Sequence, residues 1–199
     1  MNPCNGQSTV PFKRKQLKGN ECMDTKIIKV IKGLNKGDCK HICYIYNNRG
    51  GYLENLFSFI LTRINDGDHV LLVENDRNIL TINKRLQNEL SRNQLDKVHY
   101  INNFNFYFSN ETFHPQTVSS HFLHYIQPFI ENNVSFRTWG HIEWRDDKDI
   151  ERDIEKYERE VDQITKDKCI ISVCAYPAAQ TSDSLRKRLE NCHEVVLKD

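Results

Sequence analysis

Hydrophobic and polar positions follow two patterns that take turns along the chain. Four stretches, HICYIY (41–46), HVLLVE (69–74), KVHYI (97–101) and KCIISVCAYPA (168–178), are short apolar runs. Their length and β-branched content predict strands covered on both faces. SFRTWGHIEW (135–144) reads as a further strand running into a loop, and HEVVLK (193–198) as a last one. Between them lie stretches of helical period. YLENLFSFILTRI (52–64) ends at NDGD, with Gly67 as the C-terminal turn residue. DRNILTINKRLQNELS (76–91) starts with Asp76 as its N-cap. PQTVSSHFLHYIQPFIENN (115–133) has proline in its first turn and a kink predicted at Pro128. DKDIERDIEKYEREVDQITKD (147–167) places Ile150, Ile154, Tyr157, Val161 and Ile164 on one side, and SDSLRKRLENC (182–192) is a short helix. NFNFYFSNETF (103–113) is aromatic and irregular and reads as an extra strand, while MDTKIIKVIKGL (23–34) reads as a short amphipathic helix. Strands alternating with helices predict an α/β fold, a mainly parallel sheet flanked by helices on both faces.

The 199 residues suit one domain with a real core. Residues 1–22 are polar, carry a basic cluster (Lys13, Arg14, Lys15, Lys18) and read as a flexible leader, leaving 23–199 as the domain. Met23 is an alternative start. With 28 Lys and Arg against 27 Asp and Glu, no global charge draws the chain to nucleic acid or anionic membrane. No apolar run approaches the ~20 residues that span a bilayer, and the leader lacks the apolar segment of a secretory signal. A cytoplasmic protein is expected. The seven cysteines include no CxxC pair, so free thiols are expected, with Cys43 and Cys169 packed in the core. His41 and Cys43 share a strand face, but two ligands make no zinc site. No metal and no cofactor are expected.

One stretch has the order of a phosphate-binding loop: HICYIYNNRGGYLENLFSFI (41–60) runs from strand through a glycine pair into a helix. That chemistry needs a Lys and a Ser or Thr after the glycines, for the phosphates and for Mg²⁺. Tyr52 and Leu53 stand there instead, so Mg-nucleotide hydrolysis is not expected.

KGDCKHICYIYNN, DGDHVLLVEND, FRTWGHIEW, KYEREV and IISVCAYPA fall in the order and spacing of the MEDS domain. The resemblance covers roughly residues 24–199. This sensory domain is named for methanogens, methylotrophs and the dichloromethane-responsive regulator DcmR. The resemblance implies a RecA/KaiC-like fold without a functional phosphate loop, and sensing of small organic compounds. It aligns His41 and Tyr46 with the ends of the first strand and Glu74 with the acid ending the second. Arg137, Gly140 and Trp144 match one motif, Tyr157 and Glu158 a helical pair, and Cys174 and Tyr176 a motif after the central strand. His141 stands where the family usually has Glu, and Pro177 where it has Asp.

In a parallel sheet ligands bind past the carboxyl ends of the strands. The expected ligand site is therefore Tyr46, Asn47, Glu74, Arg137, Trp139, His141, Cys174 and Tyr176, with Glu74 and Arg137 paired in the absence of ligand. His41, Gly140, Trp144, Tyr157 and Glu158 are expected to be structural. The resulting expectation is a stand-alone sensory domain that binds a small, partly apolar organic ligand. It would signal through a protein partner such as a kinase or transcription factor, without ATP hydrolysis, and homo-oligomerisation stays open. The rival readings are an enzyme using Glu74, His141 and Cys174 as acid, base and nucleophile, and a ligand-free interaction scaffold.

Overall fold

The computed structural model describes residues 29–30, 33–34, 37–109, 111–145 and 149–199. The leader, Met23 and most of the 23–34 segment lie outside these residues, as does the start of the 147–167 stretch.

Six strands form one sheet: β1 (Lys40–Tyr46), β2 (His69–Glu74), β3 (Val98–Asn102), β4 (Phe136–His141), β5 (Ile171–Pro177) and β6 (Val195–Lys198). Their order is β3-β2-β4-β5-β1-β6 and every pairing is parallel. Helices α1 (Arg49–Asn65), α2 (Asp76–Glu89), α3 (Arg92–Leu95), α4 (Asn103–Tyr107), α5 (Pro115–Glu131), α6 (Ile150–Lys168) and α7 (Asp183–Glu190) complete the described elements. The predicted α/β sheet with helices on both faces is the observed architecture.

The period of two along each strand divides the core. Ile42, Tyr44, Val70, Leu72, Trp139, Val173 and Ala175 point to the face covered by α1 and α2, where Tyr52, Leu56, Phe59, Ile60, Ile82 and Leu86 meet them. Cys43, Ile45, Leu71, Val73, Cys174 and Tyr176 point to the opposite face, under α5, α6 and α7. There they pack on Phe122, Ile126, Ile154, Tyr157, Val161 and Leu185. Below these faces are called the α1 face and the α6 face.

Local chemistry sets the boundaries. The Asn48 side chain accepts the Gly51 N–H at 2.9 Å, so α1 starts at Arg49, three residues before the predicted position. At its far end Gly67 has φ 88°, the left-handed geometry that glycine adopts without a Cβ penalty. Asn75, not Asp76, caps α2: its side chain accepts the Asn78 N–H at 3.0 Å. The aromatic stretch after β3 opens as a helix, Asn103–Tyr107, and not as an extra strand. The Asn102 side chain accepts the Asn105 N–H, and that cap turns the chain before the aromatic residues can extend. The α5 helix runs through Pro128 to Glu131.

The cysteines depart from expectation. Cys39 and Cys169 are joined in a disulfide across 130 residues, beside the first residues of β1 and β5. Cys169 is therefore a cross-link rather than a core thiol. Cys43, Cys174 and Cys192 are free and buried. No helix among the described residues is long and apolar enough to cross a membrane.

Candidate functional site

At the carboxyl ends of β1, β2 and β4 the α1 face turns polar. Tyr46 Oη lies 2.7 Å from His141 Nε2, and His141 Nδ1 lies 2.6 Å from Glu74 Oε1. A carboxylate only accepts, so Nδ1 carries the proton and Nε2 accepts from the Tyr46 hydroxyl. Glu74 is fully buried, yet each of its oxygens is satisfied. Oε1 also takes the Asn75 N–H at 2.7 Å and the Asn78 amide at 3.1 Å, while Oε2 accepts from the Tyr52 hydroxyl. Tyr52 in turn accepts the Trp139 indole N–H at 3.1 Å. Burial raises the Tyr46 phenol above its ordinary range, with the charges of Glu143 and Glu74 adding to it. Tyr46 therefore stays a neutral hydrogen-bonding group.

Glu143 extends this chain outward. Its carboxylate accepts the Asn103 amide at 2.7 Å and lies 3.9 Å from His141 Nε2. Asn103, Phe104, Phe108, Glu143, Trp144 and Arg145 line a mostly apolar pocket of about 160 Å³. A larger groove of about 450 Å³ lies elsewhere, between edge strand β3 and α5, with Leu71, Ile101, Phe129 and the His69–His99 pair in its wall.

The expected site residues are thus divided. Tyr46, Glu74, Trp139 and His141 come together, with Trp139 wholly in the core against Tyr44, Tyr52 and Phe59. Asn47 is exposed beside them, and its backbone N–H is held by the Asp199 carboxylate at 3.0 Å. That carboxylate stands beside the start of α1, and Asn48 takes the Gly51 N–H. Arg137 does not pair with Glu74. It begins β4 at the other end of the sheet, where its Nε is 3.4 Å from Asp68. Cys174 and Tyr176 face α6, because the register pairs Cys174 with Gly140 and leaves Trp139 and His141 on the α1 side.

This arrangement separates the proposed nucleophile Cys174 from Glu74 and His141. Cys174 meets a different imidazole, His41 Nε2, at 3.4 Å. Burial, reinforced by the charge of Glu158, pushes its thiol well above the ordinary range, which opposes a reactive thiolate. The α6 face does hold a donor set that sequence spacing hides: His41, Glu158, Cys174 and His193 present ligand atoms all within 4.8 Å of one another. The expectation that no such set exists is corrected here. His41 Nδ1 also lies 3.1 Å from the Cys192 carbonyl.

The residues 40–194 match the model of the family described as MEDS, the methanogen/methylotroph, DcmR sensory domain. The chain belongs to the MEDS family. No curated protein matches it significantly. The matched span of this MEDS domain includes the Tyr46–His141–Glu74 chain and the donor set on the α6 face.

Tyr52, Asn78, Asn103, Glu143 and His193 are the site residues that sequence reasoning missed. Tyr52 had a signal, since it follows the glycine pair Gly50–Gly51 in the first turns of α1. The other four had none beyond their polarity. Among the motif residues, Tyr157 packs edge-on to Tyr107 and Phe113, and Trp144 lies against Tyr176. Gly140 has a steric reason: a Cβ there would meet the buried Tyr107 hydroxyl at 2.9 Å. Gly140→Ala should therefore cost about 1–3 kcal/mol, the usual range for overpacking. Adding Tyr107→Phe removes the obstructing oxygen and should recover part of that loss in urea denaturation. A double variant no more stable than Gly140→Ala would rule out this contact as the cause.

Proposed function

We propose that this MEDS domain senses a small, partly apolar organic molecule at the carboxyl end of its sheet and relays the bound state to a protein partner. The supporting observation is the adjacency of the Tyr46–His141–Glu74 chain to the pocket of about 160 Å³ through Glu143 and Asn103. The pocket has an apolar wall of Phe104, Phe108 and Trp144, with Glu143, Asn103 and Arg145 as polar groups to orient a ligand. Such a mixture is typical of small-molecule sites, and the volume is well below the roughly 300–1,000 Å³ of sites for drug-sized ligands. Nucleotide hydrolysis has no part in this reading, since Tyr52 and Leu53 follow the glycines and the Gly51 and Asn47 N–H groups are taken by Asn48 and Asp199. A kinase or transcription factor is the class of partner that a sensory domain would address.

Thermal-shift titration with short-chain alcohols, carboxylic acids, amines and halocarbons tests the reading, alongside native mass spectrometry for a retained compound. A stabilising compound should bind about 10–100-fold more weakly to Glu143→Ala, the loss of one charge-assisted hydrogen bond. Arg152→Ala on α6 should leave the response unchanged. Loss of the response in Phe129→Ala, with Glu143→Ala unaffected, would move the site to the edge groove and refute the assignment. No response and no retained compound would favour the scaffold.

A further inference from the structure

The donor set on the α6 face comes from four segments: His41 on β1, Glu158 on α6, Cys174 on β5 and His193 after α7. All four side chains are buried. His41 Nδ1 lies 3.1 Å from the Cys192 carbonyl, and His193 Nδ1 lies 2.8 Å from the Leu189 carbonyl. A carbonyl cannot donate, so each Nδ1 carries a proton, and in the neutral ring Nε2 holds a lone pair. Both Nε2 atoms face one oxygen, Glu158 Oε2, at 3.1 and 3.2 Å. Glu158 Oε2 and His193 Nε2 have no hydrogen-bond partner, as follows when a carboxylate oxygen and an unprotonated ring nitrogen face each other as two acceptors. The other carboxylate oxygen, Oε1, is taken by the Tyr176 hydroxyl. Cys174 Sγ lies 3.4 Å from His41 Nε2.

The Cys174 S–H can serve His41 Nε2, but Glu158 Oε2 and His193 Nε2 are left facing each other as buried acceptors. That arrangement is costly by itself and natural around a cation. We propose that His41 Nε2, His193 Nε2, Glu158 Oε2 and Cys174 Sγ bind one zinc ion. Tetrahedral zinc places nitrogen and oxygen donors about 3.3 Å apart and sulfur about 3.6 Å from them, given bond lengths of about 2.0–2.3 Å. Three of the six edges, at 3.1, 3.2 and 3.4 Å, are close to those values, and all six lie within 4.8 Å. Imidazole, thiolate and carboxylate in a closed set of four suit zinc, whereas calcium and magnesium take six or more oxygens or waters. The outer contacts are those of ligating residues. Each imidazole is oriented by a carbonyl, Asp162 lies 3.6 Å from His41 Nδ1, and Tyr176 fixes the Glu158 carboxylate. Binding releases the Cys174 proton to solvent and leaves a thiolate on the metal. With all four positions filled by protein and no solvent-facing ligand, the ion is structural, tying β1 and β5 to α6 and to the segment before β6.

The test uses the full chain and metal alone. Protein expressed with zinc supplementation and dialysed against metal-free buffer should carry one zinc per chain by elemental analysis. Chelator-stripped protein titrated with Co²⁺ should develop the visible bands of a tetrahedral ion and a near-ultraviolet thiolate-to-cobalt band, both saturating at one equivalent. Cys174→Ser should abolish the thiolate band, and both Cys174→Ser and His193→Gln should weaken Co²⁺ binding more than about 100-fold, beyond what loss of an outer-shell partner costs. Cys192→Ser, next to His193 but outside the set, should change neither readout. Wild-type protein without zinc and without a tetrahedral cobalt spectrum would overturn the proposal, as would a thiolate band that survives in Cys174→Ser. The wild-type measurements decide even where a variant fails to fold.

Discussion

Replacing Cys39 or Cys169 with serine should lower the stability of the oxidised protein by about 5 kcal/mol, the chain-entropy figure for so long a loop. The bond spans 130 residues, so opening it returns large freedom to the unfolded chain. The native side should change little. Lys40 N–H still bonds to the Ile170 carbonyl at 3.0 Å, and the β1–β5 pairing from Lys40 and Ile171 onward is independent of the sulfurs. Cys169 has φ 51°, but serine carries the same Cβ, so that cost is common to both proteins. At about 2–4 °C per kcal/mol for a domain of this size, melting should fall by roughly 10–20 °C. Each single variant, the double variant and the reduced wild type should melt together, since all lose the same bond. A wild-type melting temperature indifferent to reductant would show that the cross-link contributes nothing.

Arg137→Met should be the next most damaging change, at about 3–5 kcal/mol, the cost of leaving one partner of a buried ion pair. Asp68 is 0% exposed and Arg137 3%, so no water screens the charge that remains. Combining Arg137→Met with Asp68→Asn removes both charges and should be less destabilising than the sum of the two single changes. The position of Arg137 at the start of β4, away from the Tyr46–His141–Glu74 chain, makes this loss one of stability alone. Where the variant still folds, its response to a stabilising small molecule should match the parent's. Near-normal stability with a lost ligand response would restore the binding role that the sequence suggested for Arg137.

The division between readable and unreadable features follows from physics. Strands such as HVLLVE are buried on both faces, so their apolar runs stand out in the sequence. For the same reason those runs conceal which side chains share a face. His141 ends β4 and Cys174 is the middle residue of β5, and only the register, with His141 opposite Ala175 and Cys174 opposite Gly140, shows that the sheet separates them. Asn75 and Asp76 are both competent caps, and composition cannot choose between adjacent ones. In NFNFYFSNETF the aromatic β-propensity was outweighed by Asn102, a single cap hydrogen bond made one residue upstream. His41 and His193 stand near opposite ends of the described chain, and only the pairing of β1 with β5 and β6 brings them within reach.

That same pairing sets a timetable for synthesis. Among the described strands β1 is the first made, but its two sheet neighbours, β5 and β6, are the last two. The gap of 130 residues between Cys39 and Cys169 corresponds to about 7–26 s at a translation rate of roughly 5–20 residues per second. Meanwhile β2, β3 and β4 can assemble as a three-stranded half-sheet, and HICYIY has no edge to join. The nascent chain therefore carries an apolar, unpaired strand until β5 leaves the ribosome. It is during this interval, rather than in the finished protein, that a chaperone would find the most exposed surface to hold.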